Sequence, residues 1–170
     1  IRPMCPYAAA KAACEEHLRV FALASPIKVT VLRMGNAYGG GQIKKGDQGV
    51  VSYLARQIAA EREIPLYGNT VRDYVYIKDV VGAFAAALTG PGKFEVYNIS
   101  TGVGTQLVEL AQLVARLLNK EARLAVGAPR PFDLAYNVLK NDKAQAMLGW
   151  SPSYSLEDGL AEYLKEFALG

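Results

Sequence analysis

The sequence is poor in the residues that build metal and redox centres. It has one histidine, His17, and two cysteines, Cys5 and Cys14, which stand nine positions apart. That spacing is not C-x-x-C, and a lone histidine cannot complete a zinc site with them, so no metal is expected. No apolar stretch reaches the roughly 20 residues of a membrane span, and the first residues lack the layout of a secretion signal. Lys and Arg are scattered and the net charge is only +3, so neither a nucleic acid nor a membrane surface is indicated as a partner. What is present is ordinary for a folded protein: 170 residues, 51% hydrophobic and 21% charged, with a mean hydropathy of +0.08. A cytoplasmic protein with reduced cysteines is the expectation. The chain opens Ile1-Arg2-Pro3, with no methionine, and its chemistry begins within a few residues. A missing upstream half is therefore expected.

That chemistry is the pair Tyr7 and Lys11 in Pro6-Tyr-Ala-Ala-Ala-Lys11. Residues four apart share one helical face, one turn apart. A lysine ammonium beside a phenol favours the phenolate, and a phenol that titrates at about 10 in water needs roughly 1.4 kcal/mol per unit of downward shift. A tyrosine so tuned is a general acid or base. The same spacing also occurs on plain solvated helices, and both readings stand at this point.

The surrounding pattern is α/β. A helix is predicted over 7–24, with Ala8, Ala12, Leu18 and Phe21 inward and Glu15, Glu16 and Arg19 outward, then a buried strand over 28–34. Glycine-rich 36–48 reads as a loop. Further helices are expected at 50–62, 80–88, 106–118, 142–148 and 156–167. Strands are expected at 64–67, 71–77, 94–99, 123–126 and 136–139. Asp79 is expected to open the 80–88 helix, Thr105 to cap the 106–118 helix, and Leu107, Leu110, Val114 and Leu117 to form its buried stripe.

Three glycine runs fail as nucleotide loops. Gly41 to Gly46 has P-loop spacing, but Asp47 stands where lysine is required, and Gly35 to Gly40 is followed by Gly41. Gly102-Val-Gly-Thr-Gln-Leu107 follows a strand and opens a helix, yet Leu107 takes the third glycine's place in a dinucleotide fingerprint.

Taken in series, the motifs resemble the C-terminal part of the extended short-chain dehydrogenase/reductases, in particular the NAD-dependent epimerase/dehydratase family that includes UDP-glucose (UDP-galactose) 4-epimerases. Cys5-Pro6-Tyr7-x-x-x-Lys11, with Glu15 or Glu16 after it, matches the family's S/C-P-Y-x-x-S/A-K…E helix. Leu32-Arg33-x-x-Asn36-x-Tyr38-Gly39 matches L-R-x-x-N-x-Y-G, and Gly49-Val50 precedes the next helix. Tyr67-Gly68 and Arg72-Asp73-Tyr-Val-Tyr-Ile-x-Asp79 match the R-D-[FY] block. Tyr97-Asn98-Ile99 matches Y-N-[IV]-G with Ser100 in place of glycine, Arg130-x-x-Asp133 matches R-x-G-D, and Leu148-Gly-Trp150-x-Pro152 matches L-G-W-x-P.

The resemblance implies a fold and a set of roles. The fold would be the C-terminal part of a Rossmann-like doubly wound parallel sheet, about 1–36 and 71–101. A small α/β substrate-binding domain, about 37–70 and 102–170, would interleave with it, and the N-terminal NAD-binding half would be absent. Tyr7 would be the catalytic acid/base. Lys11 would hold the nicotinamide ribose and lower the phenol's pKa, and Gly35 would lie along the nicotinamide end of NAD, which is preferred to NADP. Asn36, Gly49, Val50 and Tyr67 would line the site of a nucleoside-diphosphate sugar, a UDP-sugar in preference. Arg72 and Arg130 would clamp its diphosphate, as guanidinium forks do, and Asp133 would bond a ribose or orient Arg130. The implied activity is epimerisation through a transient keto-sugar by a homodimer. A dehydratase or reductase of the same family, or a non-catalytic nucleotide-binding relative, is the alternative. His17 is expected to be an exposed helix residue, Asp79 a helix start and Trp150 a packing residue between C-terminal elements.

Overall fold

The computed structural model describes residues 3–40, 49–131 and 133–168, without the side chains of 166–168. The Gly41, Gly46 and Asp47 positions of the phosphate-loop reading, and Phe132, lie outside the described residues.

Helix α1 (Pro6–Ala24) starts where Pro6 presets a helical φ and ends at Ser25, which Pro26 holds in an extended conformation (φ −131°, ψ 163°). It lies along strand β1 (Val29–Met34), on a face that is only in part the one the sequence suggested. Ala22 is its buried residue, Ala8, Ala12 and Glu15 are half-buried, and Leu18 and Phe21 are 41% and 49% exposed. At about 100° per residue, Leu18 and Phe21 stand roughly 80° and 140° round the helix from Ala8, too far to share its face. Glu15 takes the inward place because a cation, Arg33, waits there.

β1 pairs in parallel with β6 (Phe94–Ile99), Val29 opposite Phe94 through Met34 opposite Ile99. Successive strand residues point to opposite faces. Arg33 meets α1, whereas Leu32 joins the core formed with Ala83, so α1 and the helix α3 (Ile77–Ala87) cover opposite faces of this pair. The predicted loop at 36–48 begins instead as a strand, β2 (Asn36–Tyr38), parallel to β5 (Tyr74–Tyr76). Its pairing partner lies in a distant segment that glycine content could not reveal.

The single strand expected at 71–77 is two. β4 (Val71–Arg72) lies between β7 (Thr105–Gln106), antiparallel, and β9 (Tyr136–Asn137), parallel. The chain then breaks at Asp73, and β5 follows in a different sheet. Ile77 already belongs to α3, whose N-cap is Tyr76. Asp79 therefore sits in the first turn and does not open the helix. Its buried carboxylate accepts from the Ser153 N–H at 2.9 Å and the Tyr154 N–H at 3.2 Å, latching the C-terminal segment. Trp150 donates its Nε1–H to the Asp79 carbonyl at 2.9 Å, as a packing residue.

β3 (Glu63–Tyr67) and β8 (Arg123–Gly127) are parallel, with α4 (Leu107–Leu117) in the connection between them. Thr105 is part of β7, so the cap of α4 is Gln106, whose N–H is received by Glu109 at 2.9 Å. The buried side of α4 is Leu110, Ala111, Val114 and Ala115, while Leu107 and Leu117 are only half-buried. Helix α2 (Val50–Ala59) stops short of Arg62 because the chain turns at Glu61, which has φ +54°. Two helices follow β9: α5 (Asp142–Leu148) and α6 (Leu156–Ala168). The larger core joins Leu54 of α2, Ile64 of β3, Val114 of α4 and Leu160 of α6 to Tyr38, Tyr74 and Tyr76. A smaller one holds Ala83, Tyr97, Ile99, Ala144 and Trp150. Among the described residues no helix is long and apolar enough to cross a membrane.

Candidate active site

Tyr7 and Lys11 face solvent together on the first turns of α1. The Lys11 Nζ stands 5.6 Å from the centroid of the Tyr7 ring, and Tyr7 is 72% exposed. The expected one-turn juxtaposition is present, and the described residues do not enclose the pair.

β1 runs directly into the next part of the site. Gly35 donates its N–H to the Ile99 carbonyl at 2.9 Å, and Asn36 donates its N–H to the Asp73 carbonyl at 2.7 Å. A Cβ on Gly35 would stand 3.0 Å from that same Asp73 oxygen, so glycine here serves a close approach of two backbones. Beside this junction opens a cavity of about 200 Å³, lined in part by Asn36, Tyr38, Gly49, Val50 and Tyr74. Three predicted substrate residues, Asn36, Gly49 and Val50, thus meet from two separate segments. Gly49, at φ +89°, is the N-cap of α2, so the start of that helix forms one wall.

Four cavity residues escaped the sequence reading, Ala37, Val51 and two tyrosines. Tyr38 and Tyr74 are nearly fully buried. Burial pushes the Tyr74 phenol up to about 12, with Arg72 pulling the other way. Burial also raises Tyr38, helped by the Tyr76, Asp79 and Asp158 charges. Both are neutral hydroxyls at ordinary pH, and the Tyr38 Oη–H donates to the Leu156 carbonyl at 3.2 Å. Their signal was present in the N-x-Y-G and R-D-Y motifs, where each tyrosine stands two residues after a predicted site residue, Asn36 or Arg72.

Tyr67 ends β3 opposite Gly127, and Arg130 stacks on it with Cζ 4.1 Å from the ring centroid. The Asp133 N–H bonds the Arg130 carbonyl at 3.1 Å, closing a turn. Arg72 lies between Thr105 and Asn137 and directs Nη1 to the Val71 carbonyl at 2.9 Å. The loop carrying Arg130 and Asp133 returns beside it, where the Val71 N–H bonds the Ala135 carbonyl at 2.9 Å. The two arginines therefore rest in separate contacts, and Tyr7 and Lys11 do not line the cavity.

Known proteins resemble the chain over nearly its whole length. The chain is 34% identical over 165 residues, 95% of its length, to a dTDP-L-rhamnose 4-epimerase of Burkholderia thailandensis, covering 46% of that protein. It is 33% identical over 165 residues to a dTDP-4-dehydro-6-deoxyglucose reductase of Escherichia coli, covering 96% of this chain and 52% of that one. Among solved structures it resembles a UDP-glucose 4-epimerase of Thermotoga maritima, crystallised with UDP-glucose. The TM-score is 0.93 at 36% identity, over 99% of this chain and 55% of that one. The chain thus spans about half the length of the relatives it matches, and its α/β architecture is that of Rossmann-fold epimerases. With residues 1–100 also matching the profile of the NAD dependent epimerase/dehydratase family, the chain belongs to that family.

Proposed function

We propose that, in the intact protein, this chain carries the acid/base pair and the substrate cradle of an NAD-dependent epimerisation of a nucleoside-diphosphate sugar, with UDP-sugars preferred. The observation that carries the reading is the single cavity where Asn36, Gly49 and Val50 converge at the end of β1 and the start of α2. Strand carboxyl ends are where α/β sheets take ligands, and a helix start favours an anion such as a diphosphate.

The residues present fit NAD. Lys11 offers an ammonium to ribose hydroxyls on the same exposed face as the Tyr7 phenol, and Gly35 directly follows β1, where a nicotinamide would approach. When bound, NAD supplies the acceptor and donor of hydride. The protein's part is proton transfer and positioning. The Tyr7 phenolate takes the proton of the sugar hydroxyl as a ketone forms at that carbon, and the phenol returns the proton once the sugar has presented its other face. Lys11 steadies the phenolate charge before the proton is taken and after it is returned. Asn36, Gly49, Val50 and Tyr67 cradle the nucleotide, Arg72 and Arg130 meet the diphosphate, and Asp133 steadies the turn below Arg130.

The division into Rossmann segments (about 1–36 and 71–101) and substrate-domain segments (about 37–70 and 102–170) goes with this reading, with each core drawing on both sets: Tyr74 and Tyr76 in the larger, Ala144 and Trp150 in the smaller. So does a homodimer, supported by the exposed Leu18, Val20 and Phe21 on the outer side of α1.

The test is to assay the intact protein and its Tyr7→Phe variant with UDP-glucose and dTDP sugars. Redox-neutral epimer formation that falls by 10²-fold or more in the variant is expected. Unchanged turnover in the variant, or none in the wild type, defeats the enzyme reading. A dehydratase or reductase is the second reading, favoured by the reductase relative. Net cofactor consumption or loss of water from the sugar would select it.

A further inference from the structure

Asp73 occupies the break between β4 and β5, with 1% of its surface exposed. Its carboxylate has no cation partner in the contacts described. Oδ1 accepts from the Thr101 N–H at 2.9 Å and the Thr101 hydroxyl at 2.8 Å, and Oδ2 accepts from the Gly102 N–H at 2.9 Å. Its main chain is equally occupied. The carbonyl receives the Asn36 N–H at 2.7 Å, and the N–H donates to the Asn137 carbonyl at 3.2 Å. One residue thus joins the β1–β2 junction, the turn after β6, strand β9 and, through its chain neighbours, Arg72 and Tyr74.

A buried carboxylate is costly unless donors compensate it, and three donors aimed at fixed oxygens make it rigid. The rigidity is delivered to the candidate site on two sides. Asn36 is placed by the Asp73 carbonyl, and Gly35 leaves only 3.0 Å for a side chain before that oxygen. Arg72 is placed because the strand that bears it must end where the carboxylate turns toward Thr101 and Gly102. Asn36, Arg72 and Thr101 lie in the Rossmann segments, whereas Gly102 and Asn137 lie in the substrate-domain segments. Asp73 therefore ties the two together.

We propose that Asp73 is a positioning residue for substrate binding. It sets where Asn36 and Arg72 stand, and so governs affinity for the nucleoside diphosphate without touching ligand or the proton step. This rests on the functional reading above.

The experiment compares wild type, Asp73→Asn and Thr101→Val in the intact protein, with Tyr7→Phe as the chemical control. Asparagine keeps the shape and one acceptor but turns an NH₂ toward the Gly102 N–H. Valine at 101 removes one of the three donors and leaves both backbone bonds. The expected result is a KM for the sugar nucleotide raised about tenfold in Asp73→Asn and by a few-fold in Thr101→Val, with kcat within threefold of wild type. The Kd for UDP, or for dTDP if that is the better ligand, should weaken in parallel by calorimetry. Tyr7→Phe should do the reverse, losing kcat and keeping UDP affinity. Loss of folded protein alone lowers the active fraction and leaves KM untouched, so the split separates positioning from mere destabilisation. If Asp73→Asn does not fold, Thr101→Val decides. A folded variant with wild-type KM and UDP affinity, or one that loses only kcat, overturns the proposal while leaving the functional reading intact. A wild type that binds neither UDP nor dTDP overturns both.

Discussion

Glu15 and Arg33 form a two-pronged ion pair between the Tyr7–Lys11 helix and the strand that leads to Asn36. Arg33 Nη2 lies 2.6 Å from Glu15 Oε2, and Arg33 Nε lies 3.0 Å from Glu15 Oε1. The Glu15 hydrogen bond raises the guanidinium's pKa. Exposed ion pairs contribute about 0.2–1 kcal/mol, and a bidentate guanidinium–carboxylate pair belongs at the upper end of that range. Glu15 is the better shielded partner, with its side chain 16% exposed against 38% for Arg33. A double-mutant cycle of Glu15→Ala and Arg33→Ala, followed by urea denaturation, should give a coupling near 1 kcal/mol that shrinks only partly in high salt. A coupling of zero would mean that α1 is held to β1 by apolar contact alone.

Gly159 in α6 poses a contest between propensity and space. Helix propensity predicts that alanine there would stabilise by about 0.5–1 kcal/mol. A Cβ at this position, however, would overlap the Tyr38 hydroxyl and stand 3.1 Å from Tyr76 Cγ. Both tyrosines are about 2% exposed, and the Tyr38 hydroxyl is bonded to Leu156, so neither can step aside. Overpacking costs about 1–3 kcal/mol, so sterics should win. Gly159→Ala is expected to lower the melting temperature, and pairing it with Tyr38→Phe should recover part of the loss. A more stable single variant would show that α6 can shift outward at no cost.

The buried phenols give the protein an alkaline limit. Tyr74 is held up to about 12 and Tyr38 is raised further, whereas both titrate at about 10 once unfolded. Below pH 10 neither state has lost the protons, and the stabilisation is whole. Above it the unfolded chain releases them first, so stability falls as pH climbs toward the folded values, by about 1.4 kcal/mol per pH unit for each phenol. Urea midpoints measured from pH 8 to 11.5 should be level and then drop. Tyr74→Phe should flatten part of the drop, and an unchanged slope in that variant would remove Tyr74 from the account.

How much of this was readable beforehand follows from the range of each interaction. Tyr7 and Lys11 were legible because their relation is one helical turn, a local matter. The helices α5 and α6 were legible in the same way. Asp73 was hidden, since alternation across 71–77 reads as one strand, and the break is caused by donors at Thr101 and Gly102, 28 and 29 residues further on. Asp79 looked like a helix start because its real partners, Ser153 and Tyr154, lie 74 and 75 residues away. Ser100, where the family pattern has glycine, gave no hint that its hydroxyl would bond the Leu139 carbonyl at 2.8 Å. The inward turn of Glu15 was missed because apolar residues alone were used to choose the inner face of α1.

Arg130 offers a test of the substrate cradle that weighs two contacts against each other. It rests on the Tyr67 ring, and a cation–π contact at an exposed site is worth about 0.5–1 kcal/mol. A charge-assisted bond to a phosphate is worth about 1.5–3 kcal/mol, and a planar fork can make two. If a diphosphate binds here, Arg130 should therefore leave Tyr67 or share itself with the ligand, at small cost. Arg130→Ala is then expected to weaken UDP binding in the intact protein about tenfold or more, and to flatten the salt dependence of that binding. Arg130→Lys keeps the charge without the fork, so it should recover only part of the affinity. Tyr67→Leu, which removes the resting place alone, should change UDP affinity less than Arg130→Ala does. Equal losses in the tyrosine and arginine variants would instead mean that the stacked pair acts as one platform, and that Arg130 does not reach the phosphates.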